Sequence, residues 1–176
     1  ESKVVTKDFA GGISIEKIND LNLLGAQGGH LYIPSKINGK NVIEFGITPS
    51  DSNISATDIN QAIVNYIYLP KAVKNFRKGS FANAKALIQI RKLQDVSSFV
   101  VNNITEVPED MFLNCGLLID TPLNLGIVTK VDKNAFKDTA KLDNKHEIIF
   151  NNLSVVEDGG FQNATFKLKI NRSLSQ

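Results

Sequence analysis

Four stretches of the chain share one pattern: Val73-Lys-Asn-Phe76-Arg-Lys-Gly-Ser-Phe81, Ile104-Thr-Glu-Val107-Pro-Glu-Asp-Met-Phe112, Val128-Thr-Lys-Val131-Asp-Lys-Asn-Ala-Phe136 and Leu153-Ser-Val-Val156-Glu-Asp-Gly-Gly-Phe161. Each is an aliphatic residue, two residues, an apolar residue, four residues, then Phe. The phenylalanines at 81, 112, 136 and 161 are 31, 24 and 25 positions apart. A unit this short cannot bury its own apolar face, so it must stack on copies of itself. The expected architecture is mostly β with short turns and 3-10 helices: a right-handed solenoid of short parallel strands in about five to six irregular coils. Columns of Val, Phe and Leu would form its core, with a small residue three after each Phe (Ala84, Cys115, Thr139, Ala164) letting the chain pass close by.

At 176 residues the chain is long enough for a substantial core. Its 20 basic and 18 acidic residues leave a net charge of +2, too balanced for a nucleic-acid footprint. No apolar run approaches a membrane span. Cys115 is the only cysteine, so no internal disulfide framework exists. The first residue is Glu1, not Met, which reads as a piece of a longer product whose signal or anchor lies elsewhere.

Within one domain over 1–176, residues 1–46 form a degenerate N-terminal capping unit. Lys3-Val-Val-Thr-Lys7 and Ile13-Ser-Ile15 alternate as strands do, with Gly11-Gly12 as turn glycines between them. Asn38-Gly39 is a turn dipeptide. Val42-Ile-Glu-Phe45 repeats half of the pattern, but Ser50 stands where Phe is due. Residues 47–65 are an insertion with a polar first part and a short helix after it. Residues 66–170 hold the repeats, with strand-like runs at Tyr66-Ile-Tyr-Leu69, Leu87-Ile-Gln-Ile90, Leu117-Leu-Ile119, Glu147-Ile-Ile-Phe150 and Lys167-Leu-Lys-Ile170. Extra residues at 92–103 stretch one interval, and 171–176 is a frayed polar tail.

These columns resemble the BspA-type leucine-rich repeat. Asn134-Ala-Phe136 and Phe112-Leu-Asn-Cys115 carry the resemblance most closely. So does the N-terminal unit, as Gly11-Gly-Ile-Ser-Ile15, Gly28-Gly29 and Ile33-Pro-Ser-Lys-Ile-Asn-Gly-Lys-Asn-Val42. The Gly of the family's Ile-Gly pair is missing except at Gly46, and the insertion at 47–65 lies outside the unit. The resemblance implies an exported bacterial protein, extracellular or on the cell surface, of a kind associated with adhesion to host or matrix proteins.

Catalytic signals are weak. His30 and His146 have no spaced partners and read as surface residues. Cys115 sits in the small-residue column, which makes it packing, not a nucleophile. Asp51-Ser-Asn53 and Asp143-Asn-Lys-His-Glu147 fit no calcium loop, and Gly159-Gly160 lacks the context of a phosphate cradle. No catalytic residue, cofactor or metal is therefore assigned, and the chain reads as non-enzymatic.

Solenoids bind along the face their strands display. The strand runs His30-Leu-Tyr-Ile33-Pro34 and Tyr66-Ile-Tyr-Leu69-Pro70 align residue by residue. If Leu31, Ile33, Ile67, Leu69, Ile88 and Ile90 point in, then His30, Tyr32, Tyr66, Tyr68, Gln89 and Arg91 point out. All three tyrosines of the chain would lie on that patch, and Tyr and Arg are favoured at interface hot spots. The expected function is a monomeric binding module for a protein or glycan. The alternatives are a structural spacer or cap in a larger surface protein, and an enzyme with a site in 47–65.

Overall fold

The computed structural model describes residues 4–18, 29–45, 65–73, 75–84, 89–92, 95–99, 104–115, 123–139, 147–165 and 167–171. The insertion up to residue 64, His146, and the Leu117–Ile119 run lie outside these residues. So do the residues of the tail after Asn171.

The N-terminal residues form hairpins, not parallel coils. β1 (Val4–Phe9) and β2 (Gly12–Ile18) pair antiparallel, with Phe9 opposite Gly12. Gly11 supplies the left-handed turn residue at φ 91°. Gly12 has a different reason from the turn role its sequence suggests. It begins β2, and a Cβ there would sit 2.5 Å from the Asn41 carbonyl oxygen of β5 (Lys40–Phe45). β4 (Lys36–Ile37) folds antiparallel onto β5 through Asn38 and Gly39, at φ 50° and 78°. Two adjacent positive φ values are what a two-residue hairpin with right-twisted strands needs. β5 then runs parallel to β2 and to β7 (Asn75–Phe76), which joins this unit to the first full repeat.

Beyond this region parallel pairing predominates. β3 (His30–Tyr32), β6 (Tyr66–Leu69) and β8 (Gln89–Lys92) are parallel in that order. β9 (Asp95–Phe99) folds back antiparallel on β8. That hairpin accounts for much of the stretched interval: the extra residues make a strand of their own. β10 (Glu106–Val107), β12 (Lys130–Val131) and β14 (Val155–Val156) form a second parallel set. β11 (Leu123–Asn124), β13 (Glu147–Phe150) and β15 (Lys167–Ile170) form a third. The uniformly parallel sheet expected from the repeats is thus corrected, among the described residues, by three antiparallel pairings, each made by a short hairpin that costs less loop closure than a crossover.

The Phe pattern forms one column. Ring centroids are 5.7 Å apart for Phe81 and Phe112, 5.2 Å for Phe112 and Phe136, and 5.5 Å for Phe136 and Phe161. Phe81, Phe112 and Phe136 are fully buried. The ring missing at Ser50 is replaced from another column: Phe45 stacks on Phe81 at 5.5 Å. Cys115 and Thr139 are buried as the small column requires. Each also bonds back one unit, Cys115 Sγ to the Ala84 carbonyl at 3.5 Å and Thr139 Oγ1 to the Phe112 carbonyl at 2.8 Å.

Around each Phe the described residues hold successive tight turns instead of the 3-10 helix that the sequence suggests. The residue two before Phe has positive φ in every unit (Gly79, Asp110, Asn134, Gly159), and so does the residue two after (Asn83, Asn114, Asp138, Asn163). Left-handed residues at every fourth position cannot continue a helix. They do turn alternate amides outward. The amides of Asp110, Phe112 and Asn114 donate to the carbonyls of Lys133, Ala135 and Lys137 in the next unit. The amides between them close turns within the unit, as Met111 to Pro108 and Leu113 to Asp110. Asn and Asp fill these positions because they tolerate the left-handed region and can bond along the column. Asn114 Nδ2 donates to Asn83 Oδ1, and Asn163 Nδ2 to Asp138 Oδ1, both at 2.9 Å.

Ion pairs cross between units on the outside. Lys78 meets Glu109 at 2.8 Å, and Lys130 meets Asp132 of its own unit at 2.7 Å and Glu157 of the next at 2.6 Å. The best-covered cluster joins the N-terminal hairpin to the first repeat. There Arg77 pairs with Glu16 at 2.8 Å and with Glu44, and its guanidinium lies 5.0 Å from the centre of the Phe9 ring.

Candidate functional site

The aligned strands bring four rings together. β3 and β6 pair with His30 opposite Tyr66, Leu31 opposite Ile67 and Tyr32 opposite Tyr68. Leu31, Ile33, Ile67 and Leu69 are fully buried, so the alternation places His30, Tyr32 and Tyr66 on the other face. His30 stacks on Tyr66 with centroids 4.8 Å apart and planes 12° off parallel. Tyr32 stacks on Tyr68 at 4.4 Å and 9°. His30 Nδ1 and the Tyr68 hydroxyl are hydrogen-bonded at 2.9 Å, which ties the two stacked pairs together. The result is a slab of near-parallel rings whose spacing equals the separation of neighbouring strands.

The slab is not uniformly open. Tyr32 is 46% exposed, His30 and Tyr66 are half-buried, and Tyr68 is only 6% exposed. An open position for Tyr68 is therefore corrected. It sits in the middle of the slab, covered by Tyr32 on one side, with β8 paired on the other. Tyr68 acts as the foundation on which Tyr32 is held, and its buried hydroxyl has the partner such a group requires. Gln89 and Arg91 of β8 lie opposite Tyr66 and Tyr68 in the strand register; their side chains lie outside the described residues.

A family model for the BspA type leucine rich repeat region, six copies long, matches residues 38–143 and again 60–169. The chain belongs to this family. No curated protein and no solved structure matches it. Tyr66 and Tyr68 fall inside the matched residues of the BspA-type region, whereas His30 and Tyr32 precede them. The slab is thus built where the family repeat meets the unit before it. BspA-type repeats are generally non-enzymatic.

Asp51-Ser-Asn53 and Asp143-Asn-Lys-His146, also weighed for chemistry, lie outside the described residues. Cys115 is enclosed in the core. Among the described residues no three His, Cys, Asp or Glu side chains converge as a metal site, and no helix is long and apolar enough to cross a membrane. Two shallow, open grooves flank the N-terminal hairpins. One is lined by Asp8, Phe9, Gly11, Gly12, Gly39, Lys40 and Asn41, the other by Gly11, Ile43, Lys71, Ala72 and Asn75. Lys40 and Asp8 are paired with each other across the first, at 2.7 Å.

Two features of the site escaped sequence reasoning. The His30–Tyr68 bond is diagonal across two strands, and no spacing rule marks it. The Arg77 cluster joins residues 33 and 61 positions apart, and no spacing marks it either.

Proposed function

We propose that this protein is a non-catalytic, monomeric binding module that acts outside the cell or on its surface. Its repeats wind as a right-handed solenoid, and it recognises a protein ligand, or a glycan, through the outward faces of β3, β6 and β8. One observation carries the reading: all three tyrosines of the chain and His30 are gathered into a single stacked slab with Tyr32 standing open. Pre-stacked rings offer contact area with little conformational entropy left to lose on binding. Membership of a leucine-rich repeat family supports an interaction role.

The chain contains no Trp, so its near-ultraviolet emission comes mainly from these three tyrosines. Titration with candidate matrix proteins and oligosaccharides, followed by tyrosine emission, reads the slab directly. A saturable change that Tyr32→Ala weakens about tenfold or more is expected. Binding that Tyr32→Ala leaves untouched would place the ligand elsewhere.

A second reading, a structural spacer or cap in a larger surface protein, draws on the opposite end. Val155, Val156, Leu168 and Ile170 of β14 and β15 are large apolar residues, each at least 40% exposed, on strands that end their sheets among the described residues. Such edges favour a further stacked unit. Absence of any saturable ligand for the slab would favour that reading.

A further inference from the structure

We infer that β3 is a docking edge for an extended segment of a partner protein, added as a parallel strand with planar side chains at alternate positions. This rests on the slab being the binding face, and it names the class of ligand.

The argument begins with where the backbone of β3 points. Among the described residues β3 is the terminal strand of the order β3-β6-β8-β9. The Gly29 carbonyl accepts from the Tyr66 amide, and the Ile33 amide donates to the Tyr68 carbonyl, both at 2.9 Å. Along a strand the residues face alternate sides with their backbone groups. Gly29, Leu31 and Ile33 therefore face β6, and His30 and Tyr32 turn their amides and carbonyls to the outer edge. These same two residues carry the outermost rings of the slab. One row thus presents two hydrogen-bonding residues and two ring faces in step.

An incoming strand would continue the interface that β3 already makes with β6. Its backbone would meet His30 and Tyr32, and the strand spacing would seat its alternate side chains over their rings, as His30 now lies over Tyr66 at 4.8 Å. Aromatic rings or an Arg guanidinium fit that space. The contact is short, because Pro34 closes the row after Ile33. A glycan can lie on the Tyr32 ring but has no alternating amides to match the edge.

The test uses the whole protein and a soluble peptide, Gly-Phe-Leu-Phe-Ile-Pro with a lysine tail, patterned on residues 29–34. Phe replaces the ring residues so that only the protein's tyrosines emit. A second peptide carries an N-methyl on the Leu between the rings, which removes the amide aimed at β3. The expected result is a saturable change in tyrosine emission, weakened about tenfold or more by N-methylation and by Tyr32→Ala. Circular dichroism of the variant should match the parent, since Tyr32 is an open residue. Equal binding of both peptides would overturn strand addition while leaving the slab as a binding face. A response to cello-oligosaccharide but to neither peptide would do the same in favour of a glycan. A response to neither class would overturn the strand proposal and count against the slab. Emission that changes with protein concentration alone would replace the partner with a second copy of the chain.

Discussion

Two columns of stacked rings run through this molecule, and they differ in what covers them. The Phe column, from Phe45 through Phe81, Phe112 and Phe136 to Phe161, is closed between strands and turns, and its three central rings have no accessible surface. The His30/Tyr66 and Tyr32/Tyr68 pairs stack as closely, at 4.8 and 4.4 Å, but lie on the outward face of β3 and β6, with Tyr32 open to solvent and β3 terminal among the described residues. Both follow from one cause, like residues placed over like by parallel register. Enclosed, the repetition yields stability; open at an edge, it leaves a flat face of stacked rings toward solvent.

The largest expected effect tests the enclosed column. Phe112→Ala should cost about 3–5 kcal/mol in denaturant unfolding, because both faces of its ring lose a partner and a cavity remains. Phe161→Ala, at the half-buried end of the column, should cost clearly less. Equal losses would show that the column is not the unit of stability. Next comes the turn layer. Asn114→Val places a β-branched residue at φ 50° and removes the bond to Asn83, and should cost about 1–3 kcal/mol. Asn114→Gly should recover most of it, since Gly meets no backbone penalty there.

Smaller effects probe the open column. Tyr68→Phe deletes only the hydroxyl bonded to His30 and should cost about 0.5–1.5 kcal/mol. Tyr32→Ala should change stability less than Tyr68→Ala while changing ligand affinity more. The reverse order would move the slab from recognition to folding.

The smallest effect is electrostatic. The hydrogen bond from Lys130 holds the Glu157 carboxyl below its ordinary value of 4.5. Bonds to Asp132 and then Glu157 raise the Lys130 ammonium above 10.5. A carboxyl lowered by folding stabilises above its unfolded value, and that contribution is lost as pH falls from 4.5 through the folded value. The raised lysine stabilises below 10.5 and loses its contribution as pH rises beyond it. Glu157 is exposed and Lys130 half-buried at the surface, so melting temperatures of Glu157→Gln and the parent should converge slightly toward acid pH, and salt should shrink the difference.

What the sequence made legible follows from how each contact is encoded. The Phe column and the pairing of His30 with Tyr66 and Tyr32 with Tyr68 could be read, because equal residues at equal spacing become neighbours once units stack. The left-handed residues at Gly79, Asp110, Asn134 and Gly159 went unread, although all are types that tolerate positive φ, because the spacing suited a 3-10 turn as well. Tyr68's burial was not readable, because the cover comes from neighbouring strands and alternation gives only the direction of a side chain. Phe45's substitution for the missing ring was hidden for a related reason: it belongs to the column of Phe76, which it pairs in β7, and only the three-dimensional packing turns it onto Phe81. Arg77's bonds to Glu16 and Glu44 join distant segments without any repeat to announce them.

The turn layer also gives the molecule a sense of direction. Around each Phe the backbone bonds between units run one way, from amides of one unit (Gly79, Asp110, Asn134) to carbonyls of the next (Glu109, Lys133, Asp158), while the side-chain bonds of Asn114, Cys115, Thr139 and Asn163 run back. Two copies related by a two-fold axis through that layer would set donors against donors. An assembly that extends the turns would instead run head to tail, which closes as a ring or continues as a filament according to the rotation between copies.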